Sequence, residues 1–205
     1  MRVQRLILGA LDTNCFVVGD DSGGPVVVID PADDSNAILD VIGSHAIAAV
    51  VLTHGHFDHL GGVAGLVRDT GAPLMVHAAD ADAITSAESN GGALFGFGAF
   101  APRADRRLAE GETIEAGSLR LEVLHTPGHT PGGIALLGEG HLFAGDTLFA
   151  GSVGRTDFGG GDARALRASI ARLAGLPAET IVHPGHGPDT TIAREIKVNP
   201  FFPRA

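Results

Sequence analysis

Apolar residues along this chain come in two rhythms. Short runs of four to eight alternate with stretches in which they recur every three or four positions, which reads as strands alternating with helices. Val3–Leu8, Asn14–Val18 and Pro25–Asp30 have the strand pattern, and Asp20–Gly24 between the last two has the composition of a hairpin turn. Asp33–Ser44 has helical spacing through Ala37, Ile38, Val41 and Ile42, with Asp33, Asp34 or Ser35 available as its cap. Ala46–Thr53 is almost wholly apolar, which predicts a strand buried on both faces. Leu60–Thr70 predicts a helix stopped by Gly71-Ala72-Pro73, Leu74–His77 a strand, and Ala78–Glu88 another helix.

Asn90–Pro102 breaks the pattern. It is rich in Gly and Phe and has no period, as expected of a long functional loop, and Arg103, Arg106 and Arg107 follow it. Strands resume at Thr113–Ala116, Leu119–His125, Gly133–Leu137 and His141–Ala144, followed by a helix at Asp162–Ala174, a strand at Thr180–His183 and a helix near Thr190–Val198. Two strand-rich halves, each followed by helices and joined by no evident linker, predict one α/β domain over residues 1–205. Its two mixed sheets lie face to face with helices outside.

Composition sharpens this picture. The chain is 44% hydrophobic and 19% charged, enough to bury a sizeable core. Its net charge of −10 speaks against a surface that tracks nucleic-acid phosphates or an anionic membrane. No secretory leader pattern and no apolar run of about 18 residues is present, so the expectation is a cytoplasmic enzyme that spans no membrane. A single cysteine, Cys15, lies in a strand and reads as a core residue.

The chemistry concentrates at strand ends. The Ala46–Leu52 run is followed at once by Thr53-His54-Gly55-His56-Phe57-Asp58-His59, three imidazoles and a carboxylate within six residues. Such nitrogen and oxygen donors suit zinc, iron or manganese. Three later strands end on further donors: His129 in Thr126-Pro127-Gly128-His129-Thr130, Asp146 in Gly145-Asp146-Thr147, and His186 in Pro184-Gly185-His186-Gly187-Pro188. Flanking Gly lets the backbone approach an ion, and Pro stiffens the loop that aims the ligand. His45, His77, His125, His141 and His183 are left as surface, core or supporting groups, with His125 and His183 nearest in sequence to proposed ligands.

With these residues in place the chain resembles the metallo-β-lactamase superfamily, from about Asn14 to Pro200. His54-x-His56-x-Asp58-His59, His129, Asp146 and His186 match all seven positions of its two-metal pattern in order. Thr126–Thr130, Gly145–Phe149, Gly154–Asp157, Pro184–Pro188 and Asn199-Pro200-Phe201 resemble its compact bacterial glyoxalase II-like branch. The resemblance implies an αββα four-layer sandwich with metals at one edge. His54, His56 and His129 would hold one divalent ion, and Asp58, His59 and His186 the other. Asp146 would bridge them, and zinc would be the metal, with iron or manganese as alternatives. It implies hydrolysis of a small-molecule thioester such as S-lactoylglutathione by a metal-bound hydroxide, with Asp58 orienting the nucleophile and taking a proton.

Some details differ from larger relatives. Larger members hold glutathione partly through tyrosines and a basic helical domain; with no tyrosine and nineteen residues after His186, glutathione recognition in that manner is not the expectation here. Arg103, Arg106, Arg107 and Arg155 read first as solvated or structural salt-bridge residues, Arg155 above all because Asp157 is beside it, with an anchor for a substrate carboxylate as the alternative. Phe95–Phe100 is the expected lid. Gly154–Phe158 also resembles mononuclear iron sulfur dioxygenases, in which a triad matching His54, His129 and Asp146 would suffice. Pro184–Pro188 resembles the hydrolases, so the hydrolase reading leads; lactonases of the superfamily use a tyrosine near the metals, and its β-lactamases usually lack the bridging Asp, so the thioesterase branch is preferred among hydrolases.

Overall fold

Successive side chains of a strand point to opposite faces, so a strand that is apolar at every position must be covered twice. The computed structural model describes residues 1–203 and shows that arrangement. One sheet has the order β1 (Arg2–Leu8), β2 (Thr13–Gly19), β3 (Val26–Ile29), β4 (Ile47–Val51), β5 (Leu74–His77) and β6 (Arg106–Leu108). Its first three strands are antiparallel, and β3 to β6 run parallel.

The second sheet contains β7 (Thr113–Ala116), β8 (Leu119–His125), β9 (Ile134–Gly138), β10 (His141–Gly145), β13 (Ile181–Pro184) and β14 (Thr190–Thr191), adjacent in that order. Only β10 and β13 pair in parallel there. A small hairpin, β11 (Leu148–Phe149) and β12 (Ser152–Val153), stands apart.

Side-chain alternation sorts the interior into three apolar layers. Phe16, Val18, Val27, Ile29, Ala49 and Val51 face the other sheet, where Leu121, Val123, Leu136 and Phe143 meet them. Their neighbours Cys15, Val17, Val26, Val28 and Val50 point outward to α1 (Ser35–Ile42) and α2 (Val63–Thr70). Behind the second sheet, Ala135, Leu142, Ala144 and Val182 pack on α3 (Ala163–Leu173) and α4 (Ile192–Val198). The layer order is αββα, as the sequence predicts. Cys15 is fully buried, and burial pushes its thiol pKa well up, which suits a core residue.

The local signals act as read, with one choice resolved. Asp34 caps α1, its carboxylate accepting from the Ala37 amide, and Asp162 caps α3 through the amides of Arg164 and Ala165. Asp20, in the β2–β3 turn, accepts from the Ser22 and Ser118 hydroxyls and so ties the turn to the second sheet; these bonds hold its pKa below the usual carboxylate range.

The clearest departure lies at residues 78–88, where a continuous helix was expected. Only short helical turns form, at Ala78–Asp80 and Ala83–Thr85. Thr85 Oγ1 donates to the Asp82 carbonyl and Ser86 Oγ accepts from the Ser89 amide, so side chains take the place of helix bonds. Asp80 is also drawn inward, away from the helical face. The Gly/Phe-rich segment after it is anchored by the buried Asn90, which donates to the Ala99 carbonyl and accepts from the Gly92 amide. Arg106 and Arg107 belong to the edge strand β6 and form salt bridges with Glu112 and Asp82, which agrees with the salt-bridge reading. Among the described residues no helix is long and apolar enough to cross a membrane.

Candidate metal centre

Four strands, β4, β8, β10 and β13, end along one edge of the sandwich, and each is followed by a loop bearing donors. Backbone bonds hold these loops together across the two sheets. Ile134 N donates to the Thr53 carbonyl, joining the loop after β4 to β9. Asn14, at the start of β2, donates its side-chain amide to the carbonyls of Pro184 and Gly187, each at 2.9 Å, and its backbone amide to Gly185. Gly185 N donates to the Gly145 carbonyl, which sets the Asp146 and His186 loops side by side.

All seven sequence-predicted donors meet here. The ligand atoms of His54, His56 and His129 lie within 4.8 Å of one another, as do those of Asp58, His59 and His186. A third group, His54, His59 and Asp146, lies between them at the same spacing. Asp146 is the hinge of the arrangement: its Oδ1 is 3.5 Å from His59 Nε2, and its Oδ2 is 3.5 Å from His129 Nε2 and 3.6 Å from His186 Nε2.

Four of the imidazoles have their proton placed by an oxygen behind the ring. His129 Nδ1 donates to the Arg155 carbonyl at 2.8 Å, and His186 Nδ1 to the Leu11 carbonyl at 3.0 Å. His59 Nδ1 donates to Asp30 Oδ2 at 2.9 Å. Thr53 spends its single hydroxyl proton on Asp30 Oδ2 at 2.7 Å, so at 3.1 Å it must accept from His54 Nδ1. In each case Nε2 is the ring atom left facing the centre, the one through which an unprotonated imidazole binds a metal. His56 presents Nδ1 instead, 2.9 Å from His129 Nε2.

The buried atoms His54 Nε2, His59 Nε2 and Asp146 Oδ1 have no hydrogen-bond partner. A buried polar atom without a partner is costly, and three converging ones fit a cation that accepts their lone pairs. The donor set therefore fits two divalent ions of the nitrogen- and oxygen-preferring kind.

Glycines make room for this. A Cβ on Gly185 would lie 2.2 Å from Asp146 Oδ1 and 2.7 Å from His59 Cε1, and one on Gly154 would lie 1.9 Å from the Asp146 carbonyl oxygen.

Two buried aspartates that the sequence reading did not single out hold the ligand loops. Asp30, at the end of β3, accepts from Thr53 N and Oγ1 and from His59. Asp80 accepts from Gly55 N at 2.9 Å, Thr130 Oγ1 at 2.7 Å and Gly132 N at 2.6 Å, clamping the His54–His59 loop to the His129 loop. The supporting role expected near His125 and His183 belongs to these carboxylates instead. His125 stacks on His77 and bonds the Pro131 carbonyl, while His183 lies against Phe143 and His141. A short apolar run ending in Asp, as in Val28-Ile29-Asp30, is the sequence signal that would have pointed to Asp30.

The electrostatics separate the two triads. Burial first, then neighbouring imidazoles, push the His54 and His56 pKa values down, His56 to about 3. Burial also disfavours a charged His59, but Asp58, Asp146 and Asp30 outweigh it and raise its pKa to about 10. His186 is raised too, as its bond to Asp58 and the charge of Asp146 outweigh burial. Burial pushes the Asp58 carboxyl up, and the adjacent His59 and His186 more than reverse this.

A metal must displace any proton on its ligand. At neutral pH His54 and His56 in the first triad are already free of protons, whereas His59 in the second retains its own. Zinc titration by calorimetry is expected to show one ion binding with little proton release and a second releasing about one, from His59. Because a raised pKa keeps the proton on until higher pH, the second affinity should rise about tenfold per pH unit per proton between pH 6.5 and 8.5. Equal pH dependence for both ions would contradict the division.

The cleft above the ligands, about 330 Å³, is lined by Leu11, Phe57, Phe95, Phe97, Phe158 and Arg155 besides the donors themselves. The expected lid thus contributes Phe95 and Phe97. Arg155 is paired with Asp157 through two bonds, at 2.7 and 3.0 Å. Arg103, Arg106 and Arg107 are not part of this lining.

Comparison with known proteins gives concordant results. Residues 8–186 match the family model of the metallo-β-lactamase superfamily. A relative from Haemophilus influenzae described as hydroxyacylglutathione hydrolase GloC is 33% identical over 211 residues, covering 98% of each chain. A crystal structure described as the BLEG-1 B3 metallo-β-lactamase superposes with a TM-score of 0.92 at 35% identity, covering 98% of this chain and 99% of that one. Another, described as TTHA1623 in a di-iron-bound form, gives 0.87 at 38% identity and covers 98% and 100%.

Proposed function

The chain belongs to the metallo-β-lactamase superfamily, and from that premise we propose that it is a metal-dependent thioester hydrolase of the glyoxalase II-like type. The observation that carries this reading is the second triad, Asp58, His59 and His186, gathered beside the first and sharing Asp146 with it. A mononuclear dioxygenase needs only two His and one carboxylate. A second complete set of donors has a use in hydrolysis, where two cations share the charge of the attacking and departing atoms. Similarity to a hydroxyacylglutathione hydrolase points the same way.

In this reading His54, His56 and His129 would hold one ion and Asp58, His59 and His186 the other, with Asp146 reaching both. Bound divalent ions would lower the pKa of water from 15.7 toward about 7 and offset the charge of an oxyanion. Asp58 would orient the attacking water and take its proton at the carboxylate. The water oxygen bonds to the thioester carbonyl carbon, the carbon–sulfur bond breaks, and the proton passes on to the departing sulfur, leaving an acid and a thiol. Phe57, Phe97 and Phe158, beside the donors, limit the access of bulk water. Zinc is the proposed metal. Cytoplasmic placement and a small-molecule substrate, with no nucleic-acid or membrane partner, belong to the same proposal.

The test is metal analysis of the purified protein followed by a panel of S-lactoylglutathione, a β-lactam and glutathione persulfide. Thioester cleavage lost to a chelator and restored by zinc is the expected result. The β-lactam is included because a similar structure is described as a β-lactamase. Oxygen consumption on the persulfide without thioester cleavage would replace this reading with an iron dioxygenase.

A further inference from the structure

Apolar side chains around the centre are unusually open to solvent. Leu11 is 50% exposed, Phe95 54% and Phe97 39%. Exposed aromatic residues grouped at a cleft mark a binding surface. They are also held in place. Phe57, between the donors His56 and Asp58, stacks on Phe97 at 5.0 Å and on Phe95 at 5.6 Å. Phe158 closes the opposite wall, 5.4 Å from the His56 ring and 5.9 Å from Phe95. Leu11, Phe57, Asp58 and Phe97 also border a second compartment of about 170 Å³, whose lining adds the carboxylate Asp33.

Cationic groups are scarce. Among the described residues, Arg155 is the one guanidinium or ammonium lining either compartment. It is engaged by Asp157 and lies over the Phe158 ring at 5.6 Å. Asp157 already offsets its charge and takes its Nε and Nη2 donors, so a substrate carboxylate gains little there, and in the smaller compartment it would face Asp33.

We infer that the preferred thioester is neutral and apolar, with an alkyl or aryl acyl arm packed between Leu11, Phe95, Phe97 and Phe158, rather than a hydroxyacyl ester of an anionic peptide thiol. This rests on the thioester-hydrolase reading and narrows it to a substrate class. The aromatic wall supplies the affinity and sets the carbonyl over the ligand side chains, where the ions they would hold polarise it.

Two arms test it on zinc-loaded protein. In the first, kcat/KM is measured for acetyl, butyryl, hexanoyl and phenylacetyl esters of N-acetylcysteamine, and for S-lactoylglutathione and S-hexanoylglutathione. Each methylene buried should raise kcat/KM about twofold to fourfold, so hexanoyl should exceed acetyl by at least about tenfold. Hexanoyl-N-acetylcysteamine should also exceed both glutathione esters. Phe97→Ser and Leu11→Ser, each at a partly exposed position, should flatten the chain-length dependence. In the second arm, calorimetry compares the binding of hexanoate and lactate, which needs no turnover, and hexanoate should bind at least about tenfold more tightly.

A flat acyl series, or S-lactoylglutathione as the best ester, overturns the inference while leaving the hydrolase in place. No cleavage of any ester with hexanoate still preferred removes the hydrolase reading and keeps an apolar acyl site. No cleavage and no preference removes both.

Discussion

Asp146→Ala is expected to empty the centre of most of its metal and to lower thioester kcat/KM by about a thousandfold or more. Asp146 is the one donor whose two oxygens approach both triads, through His59 and His186 on one side and His129 on the other. Its loss leaves five imidazoles facing one another with a single carboxylate, Asp58, to balance two dications. Lewis acidity of this kind supplies several kcal/mol of transition-state stabilisation, and about 1.4 kcal/mol is a factor of ten. His56→Ala should spare the Asp58 triad and so lose about one ion, with a comparable fall in rate. Metal content by mass spectrometry, read beside kcat/KM, separates the two variants. Full activity in either would sink the two-ion assignment.

Asp30→Asn is expected to destabilise the protein by about 3 kcal/mol and to weaken metal binding about 10- to 100-fold. Asp30 is 2% exposed and accepts from three donors, of which Thr53 Oγ1 and His59 Nδ1 share Oδ2. An amide can still accept from the Thr53 backbone through its oxygen, but its NH2 then confronts a hydroxyl and a ring N–H that both need acceptors. Asn suits the test because Asp30 has a left-handed backbone, φ 50°, which Asn tolerates and Ala does not. For a chain of this length the loss corresponds to a melting temperature lower by roughly 6–12 °C. Thermal unfolding with and without chelator measures it. A melting temperature within about 2 °C of the parent protein would mean that Asp30 holds neither ring.

Both results turn on which parts of the site can be read before folding. The seven donors are legible because each follows an apolar run closely, and a strand buried on both faces must end where its chain leaves the core. The layers are legible for the same reason: over Cys15–Val18 of β2 and throughout β3 and β4 every side chain is apolar, so both faces need a cover. Asp80 is not, because a lone aspartate carries no period, and Asp30 is marked only by its place after an apolar run; that three donors converge on each is revealed by the tertiary fold alone. The stretch from Ala78 to Glu88 misleads because its apolar spacing suits a helix, while Asp80 is drawn inward by partners 25 to 52 positions away along the chain. The edge strand β6 is short and carries two arginines, so nothing in its pattern marks it as part of a sheet.

The division of donors between the two sheets has a consequence for biosynthesis. His54, His56, Asp58 and His59 leave the ribosome about seventy residues before His129, and His186 comes last of all. A nascent chain therefore offers no complete pocket to a passing ion, and tight capture must wait until the second sheet docks on the first. Loading of the centre would then follow finished folding, because the four donors of the first loop complete neither triad by themselves.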